Sequence, residues 1–185
     1  MKIVLSQHNK EWDIIFQKEK VLLLNSLKKY NPTIEHIGST AVEDIMAKPI
    51  IDIMLGLPNI YILDSIVPII KKLKYLYVKK YESVIPERRF FIKPQKEIII
   101  SKDLKLKPEN ISLNDRLIHL HIVKINSNFW HNHIIFRNLL KNNKQIRKEY
   151  ESLKLELAKN EWAKSDDYAS AKADFIEKVI KNSKN

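Results

Sequence analysis

Cysteine is absent from the 185 residues, so disulfides and thiolate metal sites are excluded. Glycine is nearly absent, with Gly38 and Gly56 as the only two. Two glycines cannot build the glycine-rich phosphate loops of the commoner nucleotide-binding folds, and neither GxxxxGKS/T nor GxGxxG occurs; HExxH is missing as well. No apolar run approaches the roughly 20 residues of a membrane span. The N-terminal stretch MKIVLSQHNKEW turns polar at Ser6, too early for the apolar segment of a secretion signal. A cytoplasmic location without a membrane partner is the expectation. Acidic residues are also in short supply, 22 against 33 lysines and arginines, for a formal charge of +11. That balance favours anionic partners: nucleotides, phosphorylated metabolites or RNA. The lysines are scattered along the chain rather than clustered, and most read as solvated helix faces.

What is present fits one folded domain over residues 1–185, with 44% apolar and 30% charged residues. Ile3-Val4-Leu5 reads as an edge strand or arm. Asn9 is a helix N-cap candidate, and Trp12, Ile15, Phe16, Leu22, Leu23 and Leu27 follow helical spacing up to about Tyr30. Strand, Gly-Ser turn, short helix and strand then fill Thr33 to Leu57. Tyr61 to Leu76 reads as a helix despite Pro68, and Val78–Val84 and Arg89–Lys93 as strands. Pro94 to Asn114, with its apolar triplet Ile98-Ile99-Ile100, gives no clear element; Leu117 to Ile125 reads as a strand. Helical patterns close the chain over about Phe129–Leu140, Lys144–Lys159 and Asp166–Lys181. Strands in the middle and helices at both ends predict an α+β fold with a small mixed sheet, its core over about residues 30–127 and a helical part over about 128–182.

The densest signal is Ile34-Glu35-His36-Ile37-Gly38-Ser39-Thr40 followed by Lys48-Pro49-Ile50-Ile51-Asp52-Ile53-Met54-Leu55. Glycine at 38 marks a tight bend or a close approach to a ligand. Backbone N–H groups after such a bend, with the Ser39 and Thr40 hydroxyls, suit a phosphate oxygen. Asp52 is the only charge between Pro49 and Leu55, and a carboxylate there needs a hydrogen bond, an ion pair or a cation. His119-Leu120-His121 is the second constellation: on a strand, residues two apart share a face, which suits a metal, a phosphate or a general base. His131 and His133 fall in a helical pattern, where residues two apart diverge, and read as surface or packing residues. Either of Arg88 and Arg89 can fork onto phosphate or carboxylate, or close a hairpin salt bridge. Arg137 in the third helical pattern can reach inward. Tyr150/Lys154 and Tyr168/Lys172 are helix-face pairs whose lysines either snorkel past the rings or reach an anionic ligand.

A Gly-Ser bend with a strand-borne Asp a dozen or so residues on resembles the nucleotidyltransferase superfamily that includes DNA polymerase beta. That pattern has a second acid two residues after the first, where this chain has Met54. More specifically, the chain resembles the GrpB-like family of that superfamily over nearly its whole length. The residues carrying the resemblance are Trp12, HIGSTAV at His36–Val42, KPIIDI at Lys48–Ile53, Arg88–Phe91, HLHIV at His119–Val123, Phe136-Arg137 and the two Tyr/Lys pairs. Glu43-Asp44 stands where relatives usually have Pro-Gly, and Asn138 where they usually have Asp. The resemblance implies a nucleotidyltransferase-type sheet and transfer of a nucleoside monophosphate from an NTP, ATP first, to a hydroxyl acceptor, with Mg²⁺ or Mn²⁺ as cofactor. Gly38, Ser39, Thr40, Lys48, Arg88 and Lys172 would hold the nucleotide, Asp52 and His121 the metal, and Asp52, His119 and His121 would be catalytic. The alternative is an inactive module on the same fold that binds a nucleotide, a phosphorylated metabolite or RNA.

Overall fold

The computed structural model describes residues 1–95 and 107–184. The Ile98–Ile100 triplet lies outside them. At the centre of the sheet, β2 (Ile51–Leu57) and β5 (Arg116–Lys124) run parallel, with Asp52 opposite His119 and Met54 opposite His121. β2 is a near-continuous apolar run, whereas β5 alternates buried Ile118, Leu120 and Ile122 with the half-buried His119 and His121. β1 (Thr33–Ile37) pairs antiparallel with β2; β4 (Arg88–Pro94) pairs antiparallel with β5, and the short β3 (Leu76–Tyr77) with β4. The order across the sheet is β1-β2-β5-β4-β3, which makes the fold α+β with a five-stranded mixed sheet.

Alternation along the strands divides the residues between two faces. Ile51, Ile53, Leu55, Leu57, Ile118, Leu120, Ile122 and Phe91 form one, packed with Trp12, Phe16, Leu23 and Leu27 of the N-terminal helical region and with Ile66 and Ile70 around a short helix. Burying each such side chain contributes about 1.5–3 kcal/mol. The helices concerned are α1 (Glu11–Ser26) and α2 (Val67–Lys72). Asp52, Met54, His119, His121, Arg88 and Phe90 lie on the opposite face. One end of that face is covered by α3 (Asn128–Asn142): Trp130 packs with Ile37, Met54 and Val123. A Cβ on Gly56 would lie 2.6 Å from Trp130 Cζ3, so the second glycine is fixed by this close approach. Phe136 and Leu140 of α3, Tyr150 of α4 (Lys144–Ala158), and Val179 and Ile180 of α6 (Ala173–Asn182) form a further cluster with Val42 and Ile45.

Several elements differ from the sequence expectation. The helix expected over Tyr61–Leu76 contracts to a 3₁₀ turn at Ile60–Ile62 and to α2, because Pro68 can occupy only the first turn of a helix. The strand expected over Val78–Val84 is a 3₁₀ segment, Lys79–Ser83, and the strand residues precede it in β3. The last expected helix is two, α5 (Ser165–Ser170) and α6, broken at Ala171-Lys172. The helix after Gly38 is a single 3₁₀ turn, Ser39–Ala41. At the N-terminus the arm makes one bridge, Ser6 to Ala47, and Asn9 caps α1 by accepting from Glu11 N at 2.9 Å; Leu22 is exposed. Among the described residues no helix is long and apolar enough to cross a membrane.

Candidate functional site

The uncovered end of the second sheet face is the floor of a cleft of about 440 Å³. Because β2 and β5 are parallel neighbours in register, Asp52, His119 and His121 project side by side. His119 Nδ1 stands 3.2 Å and His121 Nε2 3.9 Å from Asp52 Oδ1. Burial on its own raises the Asp52 carboxyl, but the attraction of the two imidazoles beside it, His119 the nearer, outweighs that and holds the group well below the ordinary carboxylate range. Burial also lowers His119 and takes His121 down to about 4, so near pH 7 the group is one carboxylate between two neutral rings.

Gly38 forms the corner beside this carboxylate. Its φ is +71°, and a Cβ there would stand 2.5 Å from Asp52 Oδ2, so both conformation and space require glycine. The N–H groups of Ser39 and Thr40 have no acceptor among the described residues. Ser39 Oγ accepts from Lys154 Nζ at 3.1 Å, and the same ammonium donates to the Met46 carbonyl. The Thr40 hydroxyl is engaged by His36 Nε2 at 3.0 Å. His36 in turn stacks on Phe16, 4.6 Å between ring centroids, and lies 3.4 Å from Asp13 through Nδ1.

Lys48 and Lys172 stand 5.1 and 4.4 Å from the centre of the Tyr168 ring. Burial lowers both, and together with the neighbouring Lys48 charge it takes Lys172 to about 7; burial and Lys172 take Lys154 to about 7. Arg88 reaches in from β4, its Nη1 3.5 Å from His121 Nδ1. Gly38, Ser39, Thr40, Lys48, Asp52, Arg88, His119, His121 and Lys172 therefore all border one cleft. Arg89 instead pairs with Asp64 at 2.6 Å, and Arg137 with Glu35 at 2.5 Å and the His36 carbonyl at 2.9 Å. His131 is exposed, while His133 stacks on Phe129 at 4.1 Å.

Sequence reasoning missed two contributors, Arg116 and Tyr81, and read Tyr168 only as the ring of a helix-face pair. Arg116 opens β5 and donates to the Ile111 and Glu109 carbonyls, with Nη1 3.4 Å from His119 Nε2. Strand parity counts Arg116 with the core face, and the register shift at Lys93/Pro94 accompanies its departure from that face. Tyr81 donates to Asp166 at 2.8 Å, which ties the Lys79–Ser83 segment to α5; reading that segment as a strand hid the contact. Tyr168 lines the cleft with its hydroxyl buried and unpartnered.

The family model described as "GrpB protein" matches residues 2–182. The chain belongs to the GrpB family. Its relatives include the glutamate-rich protein GrpB of Alkalihalophilus pseudofirmus, 29% identical over 97% of this chain and 94% of that protein. The UPF0157 protein BH1888 of Halalkalibacterium halodurans is 28% identical, over 97% of this chain and 81% of its own length. Among solved structures, the conserved protein GrpB from Enterococcus faecalis superposes with a TM-score of 0.75 at 28% identity, covering 97% of this chain and 96% of that one. Two residues beyond Asp52 stands Met54, fully buried beneath Trp130. Among the described residues no group of three His, Asp or Glu side chains is arranged to hold a metal. The donor set does not fit a two-ion carboxylate centre. For a single hard cation the floor of the cleft offers one carboxylate among the described residues, Asp52, whose side chain is 31% exposed.

Proposed function

We propose that the cleft receives the phosphates of a nucleoside triphosphate, ATP first, and serves transfer of its nucleotidyl group to a small hydroxyl acceptor, the acceptor oxygen bonding the α-phosphorus as the α–β bond breaks and pyrophosphate leaves. One observation carries the reading. Lys48, Arg88, Arg116, Lys154 and Lys172 converge on a concavity whose only acids, among the described residues, are Asp52 and Asp166. So many cations in one half-buried site repel each other unless an anion joins them. The bend at Gly38 lets the chain pass Asp52 and presents the Ser39 and Thr40 N–H groups to a phosphate oxygen. Lys48 and Lys172 offset phosphate charge, and a neutral imidazole, His119 or His121, takes the proton of the acceptor hydroxyl. Mg²⁺ or Mn²⁺, when bound by Asp52 with His121 beside it, would neutralise phosphate charge.

A second reading, a binding module without turnover, is favoured by the burial of Met54 where the superfamily pattern has its second acid. Labelled ATP with Mg²⁺ and a panel of hydroxylated metabolites separates the two. For a transferase, product forms and Asp52→Ala abolishes it; unchanged product in that variant rejects the assignment of Asp52. ATP binding by calorimetry that is indifferent to Mg²⁺ and to Asp52, without product, selects the module. Failure to bind any NTP, together with an RNA affinity that falls steeply with salt, would replace both with phosphate-backbone recognition.

A further inference from the structure

We propose that the cleft contains two separate anion seats, and that the one at Arg88 takes a carboxylate or phosphate carried by a second small molecule, the acceptor, rather than a phosphate of the nucleotide. This rests on the reading of the cleft as a phosphate receptor and names the chemical class of the second ligand.

The five arginines of the chain supply the first argument. Arg89, Arg116, Arg137 and Arg147 each donate to protein oxygens: the Asp64 carboxylate, the Ile111 carbonyl, the Glu35 carboxylate and the Leu140 carbonyl. Arg88 donates to no oxygen among the described residues. Its one polar contact is His121 Nδ1 at 3.5 Å, and its Nε is buried without a partner. The guanidinium lies among three rings, 5.5 Å from Tyr81, 5.3 Å from Phe90 and 5.5 Å from Phe129. Rings attract the cation but accept none of its hydrogen bonds, and an unpaired buried donor is costly. The nearby acid does not relieve this: Asp166 already accepts from Tyr81 at 2.8 Å and lies 3.7 Å from Lys80. A planar fork with unused donors matches a carboxylate or a phosphate.

Position separates this seat from the lysines. Lys172 has Lys48, Lys154 and Asp52 as its charged neighbours, whereas the acid nearest in effect to Arg88 is Asp166, which Lys48 also senses. In the sheet, Asp52 pairs with His119 and Arg88 with Val123. The two Cα positions thus differ by two strand spacings, about 10 Å, and by about 13 Å along the strands. The arginine side chain recovers part of that distance and reaches His121, one ring short of Asp52. The Asp52–histidine group lies between the two seats, the arrangement that transfer from one bound molecule to another requires.

Calorimetry on the full chain tests this. Protein saturated with ATP and Mg²⁺ is titrated with malonate in one arm and inorganic phosphate in the other. The proposal expects one further binding event, and whichever probe is tighter identifies the anion. Arg88→Gln and Arg88→Lys should each weaken the probe at least about tenfold more than they weaken ATP, the lysine variant because it keeps charge but loses the fork. Lys172→Gln should show the reverse order. Exclusion of both probes by ATP in the unmodified protein, no binding of either probe, or a larger loss for ATP than for probe in the Arg88 variants overturns the proposal. If ATP itself does not bind, the nucleotide reading fails; the Arg88 seat then stands or falls on probe binding to the unliganded protein, and on its loss in Arg88→Lys.

Discussion

A methyl group at position 38 would lie 2.5 Å from Asp52 Oδ2, on backbone with φ of +71°. Gly38→Ala therefore strains the chain and pushes the carboxylate away from its imidazoles. The expected cost is about 1–3 kcal/mol in urea unfolding, with loss of ATP affinity. A variant as stable and as tight as the parent would show that the corner relaxes freely. His36 is a second residue whose surroundings set a measurable property. Burial pushes it down to about 4, the attraction of Asp13 notwithstanding. A histidine whose folded value lies below its unfolded value of about 6.5 is protonated first in the unfolded chain. Its contribution is complete above pH 6.5 and is lost as the pH falls towards 4, by up to roughly 3 kcal/mol. Urea unfolding at pH 7, 5.5 and 4.5 checks this: the decline should be shallower in His36→Gln, and an unchanged slope would remove His36 as its cause. The importance of Gly38 and Asp52 was legible because each is chemically isolated, a rare glycine and a lone charge in an apolar run. The contact of the Thr40 hydroxyl with His36, four residues away, was not legible because it lies in a bend no periodicity describes.

At the scale of elements, the C-terminal helices form the wall of the cleft opposite the sheet, and their start points are set locally. Asn143 Oδ1 accepts from Gln145 N and Ile146 N, both at 3.0 Å, which starts α4 and places Tyr150 and Lys154. Asn143→Ala should cost about 1 kcal/mol by denaturation, since it removes a side-chain cap while leaving the cleft contacts in place. Ser127 does the same for α3 through Trp130 N at 3.2 Å. These helices were readable from spacing because their amphipathic runs are long. Strands β2 and β5 were readable because apolar residues recur at every second position, Ile51, Ile53, Leu55 and Leu57 in one and Ile118, Leu120 and Ile122 in the other. Short elements were not. Helix α2 has six residues and β3 two, too few for a period to outweigh Pro68 or the positive φ of Lys74. The break between α5 and α6 has no proline or glycine to announce it, yet it places Lys172 at the junction, over the Tyr168 ring.

For the molecule as a whole, the +11 charge is spread over the chain, and only a small part of it reaches the cleft. Exposed lysines are screened over about 8–10 Å near physiological salt, whereas half-buried ones are screened much less. ATP affinity should therefore fall only a fewfold between 50 and 300 mM NaCl, and calorimetry across that range reads it. A fall of a hundredfold or more would mean that the scattered surface charge, not the cleft, does the binding. The sequence by itself determined the class of fold, the GrpB motifs and the central strands, because local propensity and period-2 or helical patterning act over neighbouring residues. It also marked the Gly38 corner, Asp52 and the paired histidines by their rarity. Only the tertiary structure decided which residues share the cleft: that Lys154, 115 positions away, bonds Ser39, that Tyr81 clasps Asp166, and that Arg88 has no oxygen partner among the described residues. Those relations depend on how β2, β5 and β4 come into register and how the C-terminal helices fold back over them, and such packing is a property of distant segments that no local pattern encodes.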